Sequence, residues 1–355
     1  MKSESMTTGL LMLSATAAMF MWAACASAQT SKSGDPGLEV VDHFKIGGDG
    51  GWDFLCVDGK RHHLFVTRGN EVQVVDSESG TLLTTLSQLE GTHGVAIAGD
   101  VGFITNGKSN AVTVVDLNTL RPIDTVGIDG AGPDAILYEP RQRRVYTMNH
   151  RSGNISVLDA ATHKVVGKIE ALGALEAAVT DGNGKIFVNS EATSELAVID
   201  SHSGTMESHW KLGDCKAPTG LAIDAEHARL FSVCANNRMV VLDANSGRLV
   251  AELPIGSRPD GAGFDAELDM AYSSNGDGSL TVVHEDDADH FRVVENVSTQ
   301  VGARTMTIDP QTHRVYLPAA SYGPVPPATA DTPRPRPPII AGSFNIIVMA
   351  PKAFH

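Results

Sequence analysis

The sequence predicts an all-β chain: a seven-bladed β-propeller of four-stranded antiparallel blades, with an N-terminal strand closing the last blade. Three observations carry that expectation. An apolar run ending in Asp recurs as VQVVD, VTVVD, ISVLD, LAVID and MVVLD, placing Asp76, Asp116, Asp159, Asp200 and Asp243 at spacings of 40, 43, 41 and 43 residues. A sixth copy, LTVVH, ends at His284 after another 41, and a seventh, FNIIVM (Phe344–Met349), follows a Pro-rich insertion. Each copy lies in a block of four β-branched runs separated by Gly, Asn and Asp turns, the clearest being Pro218–Leu253. Four strands in about 40–45 residues is the period of a propeller blade. Finally, the last copy stops after its third strand, while Leu38–Ile46 (LEVVDHFKI) reads as a fourth strand without a blade. Pairing it with Phe344–Met349 would close the ring and remove an exposed edge.

Taken in order, the chain begins with a segment of targeting character. Lys2 precedes an apolar stretch, Gly9–Ala24, and Ala26-Ser27-Ala28 offers small residues for cleavage before Gln29. Residues 1–28 are therefore expected to be a signal peptide, 29–37 a short linker and 38–350 the propeller, in the periplasm or secreted. Cys25 is a competing lipoprotein cysteine, but Trp22 stands where a lipobox carries an aliphatic residue; an uncleaved anchor is the other alternative. No later stretch reaches the ~20 apolar residues of a span, so no transmembrane segment is expected in the mature chain. The formal charge of −15 argues against general affinity for nucleic acid. A monomer is expected.

The Asp that ends each third strand, followed by DSESG, DSHSG or DANSG, reads as turn chemistry: Asp accepts from turn amides and Gly takes positive φ. His62, His63, His163, His227 and His313 fall in short polar turns and are expected to be solvated. HEDDADH (residues 284–290) replaces the usual turn in blade six and reads as a charged, solvated face, with cation binding the alternative. Cys56 is expected to be a buried thiol. Cys215 and Cys234 flank one hairpin, where an exported chain could form a disulfide. Ser321–Gly342 carries seven prolines and enters between the second and third strands of blade seven, as an unstructured loop or a lid.

In a propeller, the residues just before each first strand crowd the channel entrance. Aligning the copies places Asp53, His93, Asp134, Leu175, Thr219, Asp260 and Arg304 there, one per blade. Loops between second and third strands add Arg68, Asn149 and His150 to the candidate ligand-binding rim, with Asn106, Lys108, Glu191, Asn236, Asn275 and Asp277 beside them. Asp53, His93, Asp134 and Asp260 could ligate a divalent metal. Alternatively, Asp and His could act as a general base beside an Arg that holds an anionic group. Turn chemistry alone would also place Asp and Thr at such positions.

FITN (Phe103–Asn106), IFVN (Ile186–Asn189), LFVT (Leu64–Thr67) and VYTMN (Val145–Asn149), with P-x-G before first strands and S/T-G-K/R after third strands, resemble the YVTN-repeat β-propellers, the YncE-like group. The resemblance spans about residues 38–350. It implies the seven-bladed fold and an exported bacterial protein of largely unassigned activity; some members are reported to bind DNA, and related propellers include lactonases. No catalytic motif of those enzymes carries over. The expectation is a propeller that binds a small molecule or a protein partner at its channel-entrance face. The alternatives are a lactonase-like hydrolase or metal-assisted lyase using the Asp/His/Arg ring, and a protein-interaction scaffold.

Overall fold

The computed structural model describes Met1 and residues 37–352, apart from 49, 330 and 331. The expected signal peptide and most of the linker lie outside those residues. Seven four-stranded antiparallel sheets surround a channel, six of them built from consecutive strands. The inner strands are Leu55–Asp58, Thr92–Ala98, Pro133–Glu139, Leu175–Thr180, Pro218–Asp224, Pro259–Asp265 and Thr307–Asp309. Among the described residues no helix is long and apolar enough to cross a membrane.

Blade seven is completed from the other end of the described chain. Leu38–Phe44 pairs antiparallel with Asn345–Pro351, from Leu38 opposite Pro351 to Phe44 opposite Ile346, with a bulge between Val40 and Asp42. The amide of Lys352 adds a bond to the Gly37 carbonyl at 2.7 Å. The ring therefore closes as the repeat count predicts.

Second and third strands read as nearly continuous apolar runs because both their faces are covered. In blade one, Phe65, Val72 and Val74 pack with Ile104, Val115 and Leu117 of blade two. Leu64, Val66 and Val75 face the other way, onto Tyr316, Ile346 and Val348 of blade seven. Alternation within a strand thus serves two neighbouring blades, and the core lies between sheets. Fourth strands have one exposed face; Arg121–Gly127 is exposed along most of its length.

The repeated Asp has the expected turn role. Asp76 Oδ1 accepts from the Ser79 amide at 2.8 Å and the Ser79 hydroxyl at 2.7 Å, while the Gly80 amide donates to the Asp76 carbonyl at 2.9 Å. The hydrogen bonds from Ser79 hold the Asp76 carboxyl below its ordinary range. Gly80 has φ +70°, and a Cβ there would meet Phe44 of the closing strand at 2.3 Å, so glycine is required on both counts.

Cys215 and Cys234 are bonded, with Cα atoms 5.4 Å apart and a sequence separation of 19 residues. Both are buried at the channel-entrance end of blade five. A loop of that length contributes about 3 kcal/mol through the entropy of the unfolded chain. Replacing both cysteines by serine is expected to lower the denaturation free energy by roughly that amount, measured by urea unfolding with and without reductant; reductant should leave the variant unchanged. Cys56 is free and half-buried rather than fully buried as expected, and desolvation pushes its thiol up to about 12.

Candidate functional site at the channel mouth

The residues at the mouth are positioned by their backbones. Glycine lets adjacent inner strands approach closely. A Cβ on Gly220 would meet the Ala262 amide nitrogen at 2.5 Å and the Asp260 carbonyl at 2.7 Å, both backbone atoms. Polar groups on the second strand then grip the carbonyl of the mouth residue in the next blade. Thr67 Oγ1 donates to the His93 carbonyl at 2.9 Å, and Thr105 Oγ1 to that of Asp134 at 2.7 Å. Asn189 Nδ2 donates to the Thr219 carbonyl at 3.0 Å, and Ser274 Oγ to that of Arg304. The penultimate polar residue of the second strand is thus a blade-to-blade joint that also fixes the mouth.

Asp53, His93 and Asp134 converge. His93 Nδ1 lies 2.6 Å from Asp53 Oδ2 and 3.5 Å from Asp134 Oδ1. Across the mouth, Arg304 Nε donates to Asp260 Oδ2. The hydrogen bond to Asp53 raises His93 above its ordinary value, assisted by the charge of Asp134 and opposed by burial. Burial, then the charge of Asp53, pushes Asp134 up to about 6. Burial also raises Asp260, although the Arg304 guanidinium opposes it.

Several sequence expectations need correction. Leu175 is not the blade-four member of the ring: it is fully buried and pairs with Ser190, as Pro133 pairs with Asn149 and Pro218 with Cys234. The mouth position follows the paired residue, which makes it Glu176. Its carboxylate is 16% exposed and Oε1 lies 3.1 Å from His150 Nδ1, with the Glu191 carboxylate within 4.8 Å of both, so the rim residues His150 and Glu191 meet the ring in blade four. Burial, then the charges of Asp134, Asp260, Glu191 and Asp53, pushes Glu176 up to about 9, so it carries a proton at neutral pH.

Asn149 turns away from the rim. It is fully buried, donating to Asn154 and Ser156 at 2.9 and 3.0 Å and accepting from Thr147 at 3.0 Å. Asn106 and Asn275 make equivalent bonds, to Thr113 and Thr281. The residue ending a second strand is therefore scaffold where it is Asn. Arg68 is buried too. It donates to the carbonyls of Gly47, Gly50 and Gly51, and its guanidinium lies 3.6 Å from the Phe344 ring centroid, tying the entry loop to blade seven. Thr219 keeps its place in the ring but its hydroxyl donates to the Pro259 carbonyl at 3.2 Å.

Below the ring the channel is narrow and mostly apolar. A cavity of about 160 Å³ is lined by residues that include Gly94, Ala135, Ala177, Gly220 and Ala262, and Asp260 contributes its charged lining side chain. The Pro-rich insertion stands on the same rim, its base paired through Gly323 to Pro338 and Ile340 to Ser321, both at 2.8 Å. Its Tyr322 packs against Gly302, where a Cβ would come within 2.6 Å of the phenol oxygen. The segment is a paired arm at its base rather than an unstructured loop.

No protein-family model matches the chain. Similarity is found to the uncharacterized protein YncE of Salmonella typhi, 28% identical over 120 residues, covering 32% of this chain and 33% of that protein. The YncE protein of Salmonella typhimurium strain LT2 is 27% identical over a stretch of the same length. The match thus spans about a third of the length of these relatives. Weak as the similarity is, it and the seven blades of four antiparallel strands fit a YncE-like propeller family.

Proposed function

We propose that the chain is an exported propeller that binds a small cationic ligand at its channel mouth. The carrying observation is the ring itself: Asp53, Asp134, Glu176 and Asp260 from four blades face one opening, with His93 Nδ1 between the first two. Arg304 is engaged with Asp260, so the ring's charge excess is negative. A positive ligand would offset the burial, and then the mutual repulsion, that raise Asp134, Glu176 and Asp260. The narrow, apolar channel below favours an ion, or the charged end of a larger molecule, held at the mouth. A divalent metal is one source of that charge, with Asp53, His93 and Asp134 as ligands within 4.8 Å of one another. An organic ammonium is the other. The Cys215–Cys234 bond and the Ala26-Ser27-Ala28 segment support export to the periplasm or beyond.

Titration calorimetry of the full chain with Mn²⁺, Zn²⁺ and a set of primary amines separates the two sources. The titration is done in a Glu285→Gln background, which removes a ligand of the separate Asp224–His227–Glu285 cluster. Asp53→Asn with Asp134→Asn is expected to weaken binding at least about 100-fold. Metal affinity should rise with pH as His93, whose proton is held more tightly than usual, gives it up. Unchanged affinity in the double variant removes the mouth as the binding site. A second reading rests on the 2.6 Å Asp53–His93 contact. An imidazole oriented by a carboxylate is a general base, which would make the mouth a hydrolase or lyase centre. Turnover of a lactone panel that is lost in His93→Ala would favour it.

A further inference from the structure

The charged run of blade six is solvated at Asp286, Asp287, Asp289 and His290, as its composition suggests, but Glu285 is buried. Its third strand extends through Ser279–Asp287 and its fourth through His290–Ser298, joined by Ala288 and Asp289. His284 and Asp286 lie to one side, 3.2 Å apart, and Asp286 pairs with Arg292 at 3.0 Å. Glu285 points the other way, into the joint with blade five. Its backbone position is fixed by a repeated bond: the amides of Ser77, Leu117, Ala160, Ser201, Ala244 and Glu285 each donate to a carbonyl of the first turn in their own blade. Five of those six residues are small or apolar, and the sixth is a carboxylate.

That carboxylate is 1% exposed, and neither of its oxygens accepts a hydrogen bond from the described residues. Oε1 stands 3.1 Å from His227 Nδ1, which is 2.8 Å from Asp224 Oδ2. Arg229 is directed elsewhere: it donates to the carbonyls of His227, Ala228 and Ala288 and to Asp243. Asp224 is buried as well, whereas His227 is 41% exposed and opens the cluster to solvent. A carboxylate buried with open lone pairs is costly unless a cation completes it. The ligating atoms of the three residues lie within 4.8 Å of one another.

We propose that Asp224, His227 and Glu285 form a divalent-cation site that joins blades five and six on the face opposite the mouth. One imidazole nitrogen with two carboxylates suits Zn²⁺ or Mn²⁺ better than Ca²⁺ or Mg²⁺, which prefer all-oxygen shells. The cation satisfies Glu285 and pins the first turn of one blade to the third strand of the next. Its role is structural.

The test uses the full chain, freed of metal by a chelator, in an Asp53→Asn/Asp134→Asn/Glu176→Gln background so that neither cluster at the mouth contributes. Zn²⁺ is expected to bind with one-to-one stoichiometry by calorimetry and to raise the melting temperature by mass action. His227→Ala, at a solvent-exposed turn, and Glu285→Gln should each weaken binding at least about 100-fold. Without metal, Glu285→Gln should melt above its parent, because a neutral amide replaces the buried charge; with Zn²⁺ the order should reverse. If the parent binds no Zn²⁺, or if both variants keep its affinity, the site does not exist. Because Asp53, Asp134 and Glu176 are all replaced throughout, either result leaves the cation reading of the mouth untouched.

Discussion

Deleting residues 38–44 is expected to lower the midpoint of thermal unfolding by about 10 °C or more and to convert the monomer expected of this chain into aggregates. Leu38 and Phe44 are 2% and 4% exposed, and each contributes roughly 2 kcal/mol by burial. The lost ladder bonds add about 1 kcal/mol each, so the cost is at least about 5 kcal/mol, worth 2–4 °C per kcal/mol in a chain of this size. The deletion also bares the edge of Asn345–Pro351, a template for intermolecular pairing. Calorimetry and size-exclusion chromatography read both effects. The control is Val41→Lys, at an outward position 48% exposed, which should leave both unchanged. A deletion variant that melts with the wild type would mean that closure contributes nothing.

The second large effect lies at the mouth. Metal-free Glu176→Gln should melt several degrees above the wild type at about pH 9 and match it at about pH 4. The folded carboxyl is pushed up to about 9 from an ordinary 4.5, so between those values the folded state binds more protons than the unfolded. Stability then falls as pH rises, by at most about 1.4 kcal/mol per pH unit, and the loss is complete above the folded pKa. A glutamine has no proton to lose and the slope disappears. Parallel stability–pH curves for the two proteins would show that Glu176 is not held neutral by burial and the charges of its neighbours.

The scaffold was legible because repetition is a long-range signal that survives local ambiguity. Six third-strand copies at 40–43 residues, and one unmatched strand at each end of the array, allow one closed ring. The mouth was legible where the copies align on proline, as at Pro133 and Pro259, and also at Asp53, His93 and Arg304 without one; it slipped in blade four. Blade four has Leu175 in place of that proline, and a one-residue slip in a strand exchanges a core residue for a channel residue. Glu176 was lost that way. Asn149 was misplaced for a different reason. Residues at a strand end look exposed in sequence, but its amide finds Ser156, seven residues on, across the second hairpin. An Asn with Thr or Ser six or seven residues later, as in Asn106–Thr113 and Asn275–Thr281, is the pattern that marks these residues as scaffold. Glu285 was hidden inside a charge run, where composition says nothing about which side chain points inward.

The way the ring closes also sets how it responds to force. Residues 37 and 352 are hydrogen-bonded neighbours at one end of an antiparallel pair. Tension applied through them loads the ladder as a zipper, opening one bond at a time from Leu38–Pro351 toward Phe44–Ile346, rather than shearing all of them together. The closing blade should therefore yield at low force, and the remaining blades would then unravel from a free edge. That end of the blade lies opposite the mouth, so a tether reaching the propeller through either residue would pull from the far face and leave the channel entrance unobstructed.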